Sequence, residues 1–220
     1  MKLLILGLDG LDYDLVTRWG LKIFMQRVFD KHYVGELKKL YTPIIWGCFL
    51  TGLNVEKHGY DLEALKIKRG FDALKNKYLK ILYLIRRKLI PVKKLGIRSL
   101  LVRLNLVEKY PSSIMPKHLI KQTFLEKLRL SGFRVVAVEV PGYNEKLNEK
   151  YRSIVKNYIS KSISEKMRFI DEVFQDCEER IERGKGYISQ NYDLVFIYLP
   201  MPDIAEHLFF KGIMSKIHLY

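Results

Sequence analysis

Cysteine is scarce in this sequence, and long uncharged apolar runs are missing. The chain of 220 residues has two cysteines, Cys48 and Cys177. They are too few for a disulfide framework and form no Cys-x-x-Cys motif, so a reducing, cytoplasmic setting is our prediction. No window approaches roughly 18 uncharged apolar residues, so we predict no membrane-spanning helix. No internal repeat or low-complexity tract is present, which argues against repeat architectures.

The amino terminus lacks the features of a cleaved signal peptide. Its apolar run covers only residues 3–8 and is followed at once by Asp9-Gly10-Leu11-Asp12, without a small-residue cleavage site. We therefore interpret this run as the first strand of the core.

Acidic residues are few between residues 66 and 130. This segment has 18 Lys and Arg against 3 Asp and Glu, whereas the remainder has 21 of each, so the whole net charge of +15 lies in the segment. Three interpretations stay open: a solvated helical surface, a cap that attracts an anionic substrate by its field, or a peripheral helix on an anionic membrane. Few aromatic side chains and no known module argue against nucleic acid.

Apolar segments alternate between strand-like and helix-like patterns. Strands are expected at residues 2–8, 33–38, 133–140 and 193–199, and helices at 12–29, within 44–52, and at 117–130 and 160–185. Two or three basic helices, broken at Pro91 and Gly96, are expected between 64 and 110. This alternation predicts an α/β fold with a mostly parallel central sheet flanked by helices. We expect one domain over residues 1–220, with an inserted basic helical cap at residues 64–115.

Candidate site residues follow the expected strands. Asp9 comes directly after the first strand, and a carboxylate there is a suitable ligand for a divalent cation. Thr42 is a weak nucleophile unless a metal ion activates its hydroxyl. Asp203 and His207 follow the last strand four residues apart, which places them on one side of a helical turn and suits zinc or manganese. Because ligands collect at the carboxyl ends of parallel strands, we expect these residues to share one site.

Several short motifs in this order resemble the alkaline phosphatase superfamily, and within it the type I phosphodiesterase / nucleotide pyrophosphatase family. The resemblance spans nearly the whole chain. The motifs are Gly7-Leu8-Asp9-Gly10, Thr42-Pro43 with Trp46, Thr51-Gly52, His58-Gly59, residues 133–142 (FRVVAVEVPG), and Asp203 with His207.

The resemblance implies a hydrolase of phosphodiesters or phosphomonoesters with two divalent metal ions, most simply zinc. Thr42 matches the nucleophile and would also be a metal ligand. Asp9 would bind one metal, and Asp203 and His207 would bind the other. The family's later Asp-His-Gly segment does not occur in this sequence. We therefore expect the amino-terminal portion of a longer enzyme. A phosphotransferase or mutase of the same superfamily and a non-catalytic remnant are the alternatives.

Overall fold

A three-stranded parallel sheet forms the centre of the computed structural model, which describes residues 2–31, 41–89, 98–108 and 111–209. The strands are β1 (Leu3–Leu8), β2 (Val135–Val138) and β3 (Leu194–Leu199), in the order β1-β3-β2. Leu8 pairs with Leu199, so β1 and β3 end at the same level. The helices are α1 (Tyr13–Arg18), α2 (Thr42–Thr51), α3 (Val55–His58), α4 (Leu62–Asp72), α5 (Lys77–Leu89), α6 (Arg98–Arg103), α7 (Lys117–Ile120), α8 (Phe124–Leu130), α9 (Asn148–Tyr158), α10 (Ile163–Ser189) and α11 (Met201–Phe209).

Helices cover both faces of the sheet, and β3 is buried along its whole length. Alternate side chains of a strand point to opposite faces. Leu194, Phe196 and Tyr198 accordingly enter one core with residues of α2, α7 and α8. Val195, Ile197 and Leu199 enter the other core with residues of α9, α10 and α11. The α/β class and the parallel sheet predicted from the sequence are therefore confirmed.

Several boundaries differ from the prediction. The helix expected at 12–29 ends at Arg18, because Gly20 takes a left-handed conformation with φ of 61°. The helix expected at 117–130 is two short helices, α7 and α8, with Lys121–Thr123 between them. Helix α9 was not predicted at all. The strand expected at 33–38 and the breaks at Pro91 and Gly96 lie outside the described residues.

The two ends of the stretch that contains α5 and α6 pair with each other through their main chains. Leu74 forms an antiparallel bridge with Val107, the Lys75 N–H donates to the Leu106 carbonyl, and the Glu108 N–H donates to the Ala73 carbonyl. Helices α5 and α6 lie between these paired ends. Within the described ranges, no helix combines the length and the hydropathy that a membrane crossing requires.

Two glycines of α10 provide a matched test of the packing between this helix and β3. A Cβ on Gly184 would lie 2.1 Å from Ile197 Cδ1, whereas a Cβ on Gly186 would meet no atom within 4 Å. Because both sites gain similar helix propensity, Gly186→Ala should stabilise the fold by about 0.5–1 kcal/mol. Gly184→Ala should be less stable than Gly186→Ala by about 1–3 kcal/mol, because the buried Ile197 must shift. Urea unfolding of both variants measures the difference, and equal stabilities would contradict this packing.

Candidate active site at the carboxyl ends of β1 and β3

Asp9 is the first residue after β1, and its main chain joins the neighbouring elements. Its N–H donates to the Leu199 carbonyl at 3.1 Å, and its carbonyl accepts from the Asp203 N–H at 2.9 Å. Asp203 lies in the first turn of α11, where N–H groups have no partner inside the helix. Asp9 therefore fixes the start of α11 at the ends of β1 and β3.

The Asp9 carboxylate accepts hydrogen bonds from three side chains. Thr42 Oγ1 donates to Oδ2 at 3.1 Å, Tyr198 Oη donates to Oδ2 at 2.6 Å, and Trp46 Nε1 approaches Oδ1 at 3.5 Å. Burial raises the pKa of Tyr198 well above its ordinary value, and the nearby negative charge of Asp9 adds to this effect. Tyr198 therefore stays a protonated donor at neutral pH.

Two glycines of the Gly7-Leu8-Asp9-Gly10 motif make room for these contacts. A Cβ on Gly7 would lie 2.6 Å from the Trp46 ring, so glycine is needed for that ring to pack here. Gly10 has φ of 75°, and its Cβ would lie 2.7 Å from Asp203 Cα. A close approach therefore requires glycine at both positions. At Gly10 the backbone conformation also favours glycine.

Thr42 is the first residue of α2. Tyr41 precedes the helix in an extended conformation, and Pro43, which has no N–H, occupies the first turn. Gly52 ends the helix in a left-handed conformation. The helix predicted within residues 44–52 is confirmed, but it begins earlier than expected, at Thr42, where a turn was predicted. It places the half-buried Thr42 hydroxyl beside Asp9.

Asp203 and His207 lie on one side of α11, with His207 Nε2 3.4 Å from Asp203 Oδ1. Burial and the negative charge of Asp9 raise the pKa of Asp203, while His207 and Arg152 oppose the rise. Burial and the charges of Asp203, Asp12 and Asp9 raise the pKa of Glu206 to about 7. The structure thus links the four predicted site residues by consecutive contacts from Thr42 to Asp9, Asp203 and His207. Glu206 lies within electrostatic reach of the carboxylates of Asp9 and Asp203.

Asp9, Asp203 and His207 are the candidate ligands for the expected metal ions. Carboxylates that repel one another, with an imidazole beside them, are suitable ligands for a divalent cation. However, the described residues contain no group of three His, Cys, Asp or Glu side chains arranged to hold an ion. Asp9, Asp203 and His207 therefore have the chemistry of cation ligands, but the described residues are not arranged as a complete cation site.

Arg152 on α9 is a site residue that the sequence did not reveal. Its Nη2 bonds Glu145 at 2.6 Å and Glu149 at 3.1 Å. Its Nε and Nη1 are buried and have no hydrogen-bond partner among the described residues. Burial works to lower the pKa of the guanidinium, but the two carboxylates outweigh it and the pKa is raised. The charge of Arg152 acts on Tyr198 and Asp203, so this cation belongs to the electrostatic surroundings of Asp9.

The connection between β2 and α9 holds Arg152 in place. Glu139 has φ of 56°, a strained conformation for a non-glycine residue. Its carboxylate accepts from the Lys146 N–H at 2.6 Å and the Leu147 N–H at 3.2 Å, and its carbonyl accepts from Asn148 Nδ2 at 2.7 Å. These bonds orient the start of α9 and hence the side chains that surround Arg152.

A second arginine links the basic segment of the sequence, residues 66–130, to the carboxylates that surround Arg152. Arg69 on α4 forms an ion pair with Glu149, and its Nη1 donates to Tyr41 Oη at 3.1 Å. Ser113 Oγ also donates to Glu149 at 2.8 Å. The Arg152 guanidinium lies 5.9 Å from the centre of the Tyr41 ring. Two carboxylates and two guanidinium groups therefore balance one another next to the residue that precedes Thr42.

No family model, curated protein or solved structure matches this chain. The resemblance to the alkaline phosphatase superfamily and the roles it implies for Asp9, Thr42, Asp203 and His207 thus stay predictions.

His58 of the His-Gly pair has a structural environment. Its Nδ1 accepts from the Tyr60 N–H at 2.9 Å, and its Nε2 lies 3.3 Å from Cys48 Sγ. The side chain is 8% exposed. Because Nδ1 accepts a hydrogen bond, the neutral ring carries its proton on Nε2. Burial lowers the pKa of His58.

This lowered pKa predicts a pH-dependent stability. Between the folded-state pKa of His58 and its unfolded value of about 6.5, only the unfolded chain binds the proton. The free energy of unfolding should therefore fall as pH is lowered through this window. In His58→Asn, which retains an acceptor for Tyr60, the fall should be shallower; in the exposed-site control His118→Asn it should be unchanged. Thermal unfolding between pH 7 and 5 measures these slopes, and identical slopes in all three proteins would contradict the burial effect.

Proposed function

We propose that this protein is a metal-dependent hydrolase of phosphoesters or phosphodiesters, of an alkaline-phosphatase-like fold, with Thr42 as its nucleophile. The observation that carries the proposal is the hydrogen bond from Thr42 Oγ1 to Asp9 Oδ2 at the carboxyl edge of the sheet. This edge is where parallel α/β folds bind ligands. The positive end of the α2 dipole at Thr42 would favour the negative charge of a phosphoryl group.

In the proposed reaction, Thr42 Oγ attacks phosphorus and the bond from phosphorus to the leaving oxygen breaks. The hydroxyl proton is directed towards Asp9 Oδ2, and the departing alcohol is protonated by solvent. Water then attacks the phosphothreonine, which releases phosphate or a phosphomonoester and restores the Thr42 hydroxyl. By the resemblance, Asp9 would hold one divalent cation and Asp203 with His207 a second, with zinc the first choice and manganese the second. Such a cation would lower the pKa of the attacking hydroxyl.

Arg152 would hold the phosphoryl oxygens of the substrate. It has two buried nitrogens without partners, and a guanidinium matches the geometry of a phosphoryl group. The ion pairs that Arg152 and Arg69 form with Glu145 and Glu149 limit the cost of burying the Arg152 guanidinium, since paired charges offset part of their desolvation. Tyr198 would keep the Asp9 carboxylate oriented towards Thr42.

Replacement of Thr42 tests the nucleophile. Thr42→Ala should lower the turnover of p-nitrophenyl phosphate and bis-p-nitrophenyl phosphate by roughly a thousandfold or more, measured with added zinc or manganese. Thr42→Ser should retain part of the turnover because it keeps a hydroxyl. The control Thr17→Ala removes an exposed hydroxyl of α1 that donates to the Tyr13 carbonyl, and it should behave as the wild type. Wild-type turnover in Thr42→Ala would exclude Thr42 as the nucleophile, and no turnover in the wild type would favour a binding protein.

Replacement of Arg152 tests phosphate binding separately from chemistry. The double variant Glu145→Gln/Arg152→Gln removes both charges of the pair, so no unpaired buried charge remains. Its Kd for inorganic phosphate, from calorimetry, should be about 10- to 100-fold higher than that of the wild type, as expected for a lost charged hydrogen bond. Thr42→Ala should bind phosphate nearly normally.

The matched control for this double variant is Glu126→Gln/Arg129→Gln. It removes an acid–arginine pair of α8 whose arginine bonds the Val135 carbonyl at the amino end of β2 and the Tyr143 hydroxyl. It should leave phosphate binding unchanged. If the Arg152 variant binds phosphate as well as the wild type does, Arg152 has no role in holding the substrate.

A further inference from the structure

Helix α5 has an apolar stripe that the fold leaves exposed. Tyr78, Ile81, Leu82 and Ile85 are 76%, 46%, 59% and 48% exposed. Their spacing of three and four residues places them on one side of the helix. We call these four residues the α5 stripe. A monomeric protein rarely leaves four neighbouring large apolar side chains in water, so the stripe indicates an interaction surface.

The opposite side of α5 packs against α4, which fixes the direction of the stripe. Tyr83 packs so closely on Gly70 that a Cβ there would lie 2.5 Å from its hydroxyl oxygen. Lys80 Nζ lies 5.1 Å from the centre of the Phe71 ring. Tyr83 and Lys80 are half-buried, whereas the stripe is on the far side. The α5 stripe is therefore directed away from α4 rather than into the core.

The positive charge around the α5 stripe indicates which kind of partner can bind it. Exposed Lys77 begins the helix, Arg86-Arg87-Lys88 follow in its last turns, and the surrounding segment of residues 66–130 carries the whole net charge of +15. A second copy of this chain would bring equal positive charges together, which disfavours self-association through the stripe. An anionic surface would instead be attracted by each Lys and Arg near it.

We infer that α5 is a membrane-surface helix that docks on anionic lipid through Tyr78, Ile81, Leu82 and Ile85. The stripe enters the boundary between headgroups and acyl chains, and the flanking basic residues contact lipid phosphates. This arrangement of an apolar face between basic residues is typical of helices that lie in the membrane interface. Tyrosine at Tyr78 suits the polar level of that interface, because its ring is apolar and its hydroxyl remains hydrated. The protein would thus bind peripherally, independently of its catalytic residues.

Vesicle co-sedimentation of the full chain tests this inference. The wild type should bind vesicles that contain phosphatidylglycerol or phosphatidylserine, and should bind pure phosphatidylcholine vesicles much more weakly. Binding should decrease as salt rises, because ions screen the attraction over about 8 Å at physiological ionic strength. Ile81→Ser/Leu82→Ser should weaken binding by more than about tenfold, since two apolar side chains no longer enter the interface. Because both side chains are exposed, the circular dichroism spectrum should be unchanged.

A matched control replaces exposed apolar residues outside α5. Leu130→Ser/Ile163→Ser changes side chains that are 86% and 74% exposed and should bind vesicles as the wild type does. Equal wild-type binding to neutral and anionic vesicles, or unchanged binding by Ile81→Ser/Leu82→Ser, would overturn the inference. Sedimentation velocity without lipid adds a further check: a wild-type dimer that Ile81→Ser/Leu82→Ser converts to a monomer would assign the stripe to a second copy instead.

Discussion

The candidate site depends on the hydrogen bonds of Asp9. Its main chain joins β1 to the end of β3 and to the first turn of α11, while its carboxylate accepts hydrogen bonds from side chains of α2 and β3. Since a half-buried carboxylate needs hydrogen-bond donors to offset the water that it loses, these donors hold Asp9 and Asp9 in turn holds Thr42. Asn at this position would lose the charge that orients Tyr198 and Thr42, although it would nearly preserve the shape.

The charges around this carboxylate lie on an acidic and a basic side. The acidic side is formed by Asp9, Asp203 and Glu206, and burial together with the repulsion among these carboxylates raises the pKa of Asp203 and Glu206. The basic side is Arg152, which lies within electrostatic reach of Asp203 while it pairs with Glu145 and Glu149. A cation on the acidic side would relieve the repulsion among its carboxylates, as binding of a metal ion would do.

The sequence predicted the elements that have strong local signals. Apolar runs identified the three strands, and the positions after β1 and β3 identified Asp9 and Asp203, which the parallel register brings to one edge. His207 was predicted from its spacing to Asp203, and Thr42 from its Thr-Pro motif. Helix α9 was missed because its buried positions include polar Asn148 and Glu149, which weakens the apolar pattern. A signal was present, since Tyr151, Ile154, Val155 and Tyr158 have helical spacing. The ion pairs of Arg152 with Glu145 and Glu149 are local in sequence. Its position beside Tyr41 and its effect on Tyr198 and Asp203 depend on packing between distant parts of the chain, which a local pattern cannot predict.

The most direct test of the account is to trap the covalent intermediate on Thr42. The metal-loaded protein would be mixed with an activated phosphomonoester, quenched in acid and digested, and the peptide containing Thr42 would be examined by mass spectrometry. We expect phosphate esterified to the Thr42 hydroxyl in the wild type and no modification in Thr42→Ala. Turnover with no modified threonine, or a phosphate ester on another residue, would contradict the account.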